Sequence, residues 1–230
     1  KQKSGTLIIG TTYSRAQFFL PPIIRDFKEK YPLVQIKLFE GNTPEVEQKL
    51  TKREVDVTIG YQPSHIKDVV SIPLYHDFFM LVVHPSVLEE NFPNRPIHQF
   101  RIYNDSIIKE IIQQCPFLVM PLDTVVGEFG HQYIIEQKLH VSNLFELRDV
   151  GTMLSMCYSQ MGFMLCPRTL VQYSKYPFSK EHIIYPLPHF KPLTIAINFT
   201  SSKKKPAIIA AFTKIVKENL KKSLGDIIET

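Results

Sequence analysis

Three short segments place hydroxyl or carboxyl side chains directly ahead of stretches with helical spacing: Thr11-Thr12-Tyr13-Ser14, Asp123-Thr124 and Asp149-Val150-Gly151-Thr152. The first turn of a helix leaves backbone N–H groups unpaired and carries a partial positive charge. Such a segment therefore suits a carboxylate or another anion even without a cationic side chain. The same side chains also serve as caps. Ser14 with Gln17 three positions on has the spacing of a capping box, so capping and ligand contact weigh evenly there. For Thr124 capping is the favoured role. Arg15 offers a bidentate fork to an anion, but an arginine in a first helical turn more often faces solvent, and that is the expectation here.

Catalytic and metal chemistry find no constellation. The eight histidines include no HxH, HxxxH or HExxH pair, and GxSxG, Walker A and GxGxxG are absent from a chain with only nine glycines. His76-Asp77 is an adjacent pair, and neighbours on a strand point to opposite faces. Cys115, Cys157 and Cys166 form no CxxC and lie in apolar sequence, as reduced core thiols do. No enzyme, no cofactor and no metal are expected.

The length of 230 residues, with 44% hydrophobic and 21% charged composition, fits a globular protein of one large domain or two smaller ones. The formal net charge of +5 gathers in Lys203-Lys204-Lys205 and in Lys214, Lys217, Lys221 and Lys222. These read as solvated faces, since no aromatics are interleaved to stack bases. No apolar run nears the roughly 18 residues of a membrane span, and Leu7-Ile8-Ile9 is too short for a signal-peptide core. A cytoplasmic location without membrane contact is the expectation.

The elements that must carry these residues follow from periodicity. Residues 6–10, 34–38 and 55–60 read as strands. The stripe Phe19, Leu20, Ile23, Ile24, Phe27 and Tyr31 makes a helix, kinked or late-starting at Pro21-Pro22. Thr43 is the expected cap of a short helix with Pro44 in its first position. Strand–helix–strand–helix–strand at these spacings predicts an α/β unit with a largely parallel sheet. Further strands are expected at 78–83, 117–120, 144–147, 163–165, 183–185 and 193–197. Helices are expected over 107–112, 126–138 and from 151, with a final amphipathic one from Pro206.

Taken in order, Ser4-Gly5-Thr6-Leu7-Ile8-Ile9-Gly10, Leu20-Pro21-Pro22, Tyr31-Pro32, Leu38-Phe39-Glu40-Gly41 and Val55-Asp56-Val57-Thr58-Ile59-Gly60 resemble the effector-binding domain of LysR-type transcriptional regulators. Pro73-Leu74-Tyr75, Leu81-Val82-Val83-His84-Pro85 and Gly162-Phe163-Met164-Leu165-Cys166-Pro167 extend the match along the whole chain. Gln160-Met161-Gly162 departs from it, standing where the family has a more glycine-rich turn.

The resemblance implies an α/β, two-lobed type II periplasmic-binding-protein-like fold with two crossover segments. Lobe I would comprise 1–76 and 190–230, and lobe II 77–189, with a small effector in the cleft and anions among its candidates. By position, Thr12 and Ser14 match hydroxyl residues that hold the effector in the family, and Tyr61 falls at the cleft floor. Thr124 and Thr152 are the candidates from lobe II. The partners implied are the effector, a homodimer or tetramer, and DNA only through an N-terminal domain lying ahead of Lys1, which makes this chain a regulatory fragment. A transport-type solute-binding protein of the same fold is the alternative.

Overall fold

The computed structural model describes residues 4–63, 66–141, 143–188, 190–201 and 206–224. The Lys203-Lys204-Lys205 run lies outside them. Residues 1–77 with 193–230 form one compact unit, and residues 78–192 form another.

The chain opens with β1 (Gly5–Thr12), in which Leu7 and Ile9 are fully buried. The helix after it, α1 (Tyr13–Phe18), has Thr12 as its extended N-cap residue, with no side-chain cap bond. This corrects the capping-box expectation for Ser14, which lies at the second helical position. A separate helix, α2 (Leu20–Lys30), begins after Phe19, and Pro21 and Pro22 fall in its first turn. N–H groups there have no intrahelical acceptor in any case, so the two prolines restart the helix rather than break one.

After β2 (Val34–Gly41) comes α3 (Thr43–Thr51), whose cap is Asn42 and not Thr43. Asn42 Oδ1 accepts from the Glu45 N–H at 2.8 Å, and the Glu45 carboxylate accepts from the Asn42 N–H at 2.9 Å. This is a full capping box. Next come β3 (Val57–Tyr61) and the long β4 (Val69–Asp77), which periodicity had not indicated.

The second unit runs β5 (Phe79–Val83), α4 (Pro85–Asn91), a 3-10 turn (Ile97–Arg101), α5 (Asp105–Gln114) and β6 (Phe117–Val119). It continues through α6 (Val125–Glu136), β7 (Leu144–Glu146), α7 (Val150–Tyr158), β8 (Phe163–Pro167), α8 (Arg168–Tyr173), α9 (Phe178–Glu181) and β9 (Ile183–Pro186). The chain then returns to the first unit for β10 (Leu193–Thr200) and α10 (Pro206–Leu224).

The two sheets have the same plan. In the first, the order is β2-β1-β3-β10-β4, with β1 parallel to β2 and β3, and β10 antiparallel to β3 and β4. In the second, it is β7-β6-β8-β5-β9, with β6 parallel to β7 and β8, and β5 antiparallel to β8 and β9. Each sheet is thus parallel in its first half and closed by an antiparallel pair. Pro73 is accommodated because β4 is an edge strand, where a missing N–H leaves no ladder bond broken.

In the first unit, Leu7, Ile9 and Val57 are fully buried, as are Phe27 of α2 and Phe212 of α10, whose rings meet edge-on at 5.6 Å. Gly10 leaves room for the close approach of α3 to β1: a Cβ there would lie 3.2 Å from Thr58 and 3.3 Å from Val46, tighter than ordinary contact. In the second unit, Phe79 stacks on Phe129 at 4.5 Å and Phe117 on Phe163 at 4.7 Å, with Ile108, Ile111 and Ile112 of α5 buried.

Candidate functional site

Parallel strands deliver their following loops to the same edge of a sheet, so the carboxyl ends of β1 and β3 lie side by side. Their register pairs Thr11 with Ile59, which sets Thr12 and Tyr61 at that edge of the first unit. Thr11 itself is buried, its hydroxyl donating to the Ile59 carbonyl at 2.8 Å. At the carboxyl end of β1, Thr12 is therefore the hydroxyl that ligand chemistry can use.

Arg15 is 6% exposed, against the expectation that it faces solvent. Its guanidinium lies over the Tyr61 ring, 4.3 Å from the centroid, and Nη1 donates to Thr12 Oγ1 at 3.4 Å. Burial works to lower the pKa of this group, but Tyr61, Tyr75 and the fully buried Asp77 outweigh it and hold the guanidinium above its ordinary value. Thr12, Arg15 and Tyr61 thus form one assembly around a fixed positive charge. An anion beside it would be stabilised, because a charge in a poorly solvated site is weakly screened.

Behind Tyr61, Asn198 of β10 is a buried anchor. Its Nδ2 donates to Thr58 Oγ1 at 3.3 Å and to the Tyr61 carbonyl at 3.1 Å, while its Oδ1 accepts from Ser71 at 2.7 Å. These bonds frame a cavity of about 10 Å³ with Thr12, Thr43, Glu47, Thr58, Tyr61 and Asn198 among its walls. That is space for a single water. Burial pushes the Glu47 carboxyl upward.

Ser14 is half-buried on α1, two positions from the Thr12 cap. In the second unit, Thr124 caps α6: Oγ1 accepts from the Gly127 N–H at 3.0 Å and donates to the Pro121 carbonyl at 2.8 Å. Gly127 is required by the same turn, since a Cβ would sit 2.0 Å from the Pro121 oxygen. Thr152 is exposed, and both its N–H and its hydroxyl donate to Asp149 Oδ1, at 2.7 and 2.9 Å. The Asp149 carboxylate already occupies the anion position of α7. The hydroxyls of Thr124 and Thr152 are therefore committed to their own helix starts.

Sequence reasoning missed the inward face of Arg15, and it missed Thr58, Asn198 and Glu47. For Arg15 a signal existed: it stands four residues before Phe19 and eight before Ile23, on the apolar side of the helical stripe. Asn198 is the one amide within the buried run 195–199.

Elsewhere, His76 is exposed and Asp77 buried, as alternation requires. All three cysteines are buried and none forms a disulfide among the described residues, and burial pushes the Cys115 thiol up to about 12 and Cys157 higher still. Among the described residues, no group of three or more histidine, cysteine or acidic side chains is arranged to hold a metal. No helix among them is long and apolar enough to cross a membrane.

Comparison with known proteins places this geometry in context. The family model described as LysR substrate binding domain matches residues 1–221. The transcriptional regulator SsuR of Burkholderia cenocepacia is 31% identical over 105 residues, covering 44% of this chain and 34% of the relative. The uncharacterized regulator YvbU of Bacillus subtilis is 30% identical over 153 residues, covering 64% of this chain and 52% of the relative. The chain therefore spans between a third and about half of these relatives.

Among solved structures, the effector binding domain of a BenM variant superposes with a TM-score of 0.73 at 18% identity, covering 95% of both chains. The reduced OxyR regulatory domain from Pseudomonas aeruginosa gives 0.68 at 18% identity, covering 95% of this chain and all of that one. These similarities establish the two-lobed periplasmic-binding-protein-like fold.

Proposed function

The chain belongs to the LysR substrate binding domain family, and from that premise we propose that it is the effector-sensing part of a transcriptional regulator. The observation that carries the reading is the buried Arg15 held over Tyr61 and bonded to Thr12. A buried cation beside a hydroxyl and over an aromatic face is costly to maintain and suits recognition of a small anion. Thr12, Arg15 and Tyr61 are its principal contacts, with Ser14 beside them. Thr124 and Thr152 are secondary, because a ligand must share or displace bonds their hydroxyls already make.

Binding shifts the population of domain conformations, and the longer protein transmits that shift to its DNA-binding part through a homodimer or tetramer. DNA contact belongs to that other part, and the role of this chain is binding rather than catalysis. A solute-binding transport role on the same fold is the weaker reading, because the curated relatives above are described as regulators.

A thermal-shift screen of small carboxylates, amino acids, inorganic anions and aromatic acids identifies the ligand, since ligands that bind only the folded state raise its midpoint. Thr12→Val keeps shape and removes the hydroxyl. Loss of a hydrogen bond to a charged ligand costs on the order of 1.5–3 kcal/mol, so affinity should fall roughly ten- to a hundredfold. An effector whose affinity changes less than threefold in both Thr12→Val and Tyr61→Phe would refute this assignment.

A further inference from the structure

The second unit contains a pocket of its own, of about 400 Å³, distinct from the residues discussed above. It lies against α8 and the segment that follows, with Met80, Val171 and Ile184 supplying apolar wall and Arg168, Gln172 and Lys175 supplying polar groups. Its volume falls in the range of small-molecule sites. Two cations line it and no carboxylate does.

Arg168 is the unusual member. Its guanidinium lies near the Phe78 ring, 5.5 Å from the centroid. A ring satisfies a guanidinium only through its flat face and leaves the in-plane N–H groups needing acceptors. Two of its nitrogens, Nε and Nη2, are buried and have no hydrogen-bond partner among the described residues. These are the pair whose N–H bonds run parallel along one side of the guanidinium, the edge that meets both oxygens of a carboxylate. An unsatisfied buried donor is destabilising, and one on a charged group more so. Arg168 also lines the pocket, where an anion would supply the missing acceptor. Lys175 is exposed at the same pocket with its ammonium free of any ion pair among the described residues.

We propose that this pocket binds a small organic acid, its carboxylate on Arg168 and Lys175 and its apolar body against Met80, Val171 and Ile184. The site is separate from the Thr12–Arg15–Tyr61 assembly, so one chain carries two ligand positions, and the acid held here biases the second unit alone.

Hexanoate is a suitable probe, with hexanamide as its neutral counterpart, followed by methyl NMR of the full chain. Hexanoate should shift the Met80 and Ile184 methyl signals saturably, and hexanamide should bind at least tenfold more weakly. Arg168→Met, which keeps the stem and removes the charge, should weaken hexanoate roughly ten- to a hundredfold. Lys175→Met, at an exposed position that leaves folding undisturbed, should weaken it several-fold. Thr12→Val should leave hexanoate affinity at this pocket unchanged, which separates this site from the effector assignment. The proposal is overturned if hexanoate leaves Met80 and Ile184 unmoved, if hexanamide binds equally well, or if Lys175→Met and a folded Arg168→Met both retain wild-type affinity.

Discussion

Replacing Arg15 by methionine tests how the first unit holds its positive charge. Methionine preserves most of the stem of a residue that is only 6% exposed but removes the guanidinium, which lies over Tyr61. The loss has two parts. Tyr61, Tyr75 and the fully buried Asp77, which hold the guanidinium's charge, lose the cation they face, and breaking a buried charge arrangement on one side costs up to about 3–5 kcal/mol. Loss of the contact over the Tyr61 ring adds on the order of 1 kcal/mol, partly inside that figure.

A chain of this size loses about 2–4 °C of midpoint per kcal/mol, so the first unit should melt roughly 6–20 °C lower. Hydrogen exchange at the β1 and β3 amides reads that unit apart from the other. Asp77→Asn should recover part of the loss in the Arg15→Met background, with a coupling of about 1–3 kcal/mol in the double-mutant cycle. A cost below about 1 kcal/mol for Arg15→Met, or additivity within about 0.5 kcal/mol, would refute the argument that Arg15 and Asp77 form one electrostatic unit.

Other predictions concern caps, protonation and thiols. Asn42→Ala should destabilise by about 1 kcal/mol in denaturant titration, while Thr43→Ala should change stability by less than about 0.5 kcal/mol. Burial holds the His182 imidazole below its ordinary value of 6.5, so the unfolded chain binds more protons as pH falls through that value. Exchange protection of β8 should therefore be complete above about pH 7 and decline below about 6.5, and His182→Gln should flatten the profile. Cys115, Cys157 and Cys166 should label with a thiol reagent only as fast as the second unit opens; rapid labelling of the folded protein would contradict their burial.

What was legible in the sequence is what burial periodicity records. The strands β1, β2 and β3 and the helix α5 could be read because their apolar residues recur at two or at three to four positions. The strand β4 was not, because an edge strand with Pro73, with Val70 and His76 exposed and with Ser71 and Ile72 both half-buried, has little alternation to show. The caps at α1 and α3 were each misassigned, by two residues and by one. Thr12 and Ser14 compete at the first and Asn42 and Thr43 at the second, and only backbone geometry decides which residue is extended. Thr12 and Tyr61 could be named from the resemblance. Their link through Arg15 could not, because a charged residue on an apolar stripe reads as a solvated exception until its neighbours are known.

The position of β10 has a consequence for how the molecule is made. It lies between β3 and β4 and hydrogen-bonds to both, yet it follows the whole of the second unit in the chain. A nascent polypeptide therefore has every strand of the second unit in hand while the first unit still has a gap in the middle of its sheet. Until Leu193–Thr200 emerges, β3 keeps an open edge and β4 has no strand to pair with. The second unit is free to fold first, and the first closes last, through a pairing of high sequence separation that carries a large loop-closure cost. A break in synthesis before Leu193 leaves one finished unit attached to a sheet with an unpaired, association-prone edge.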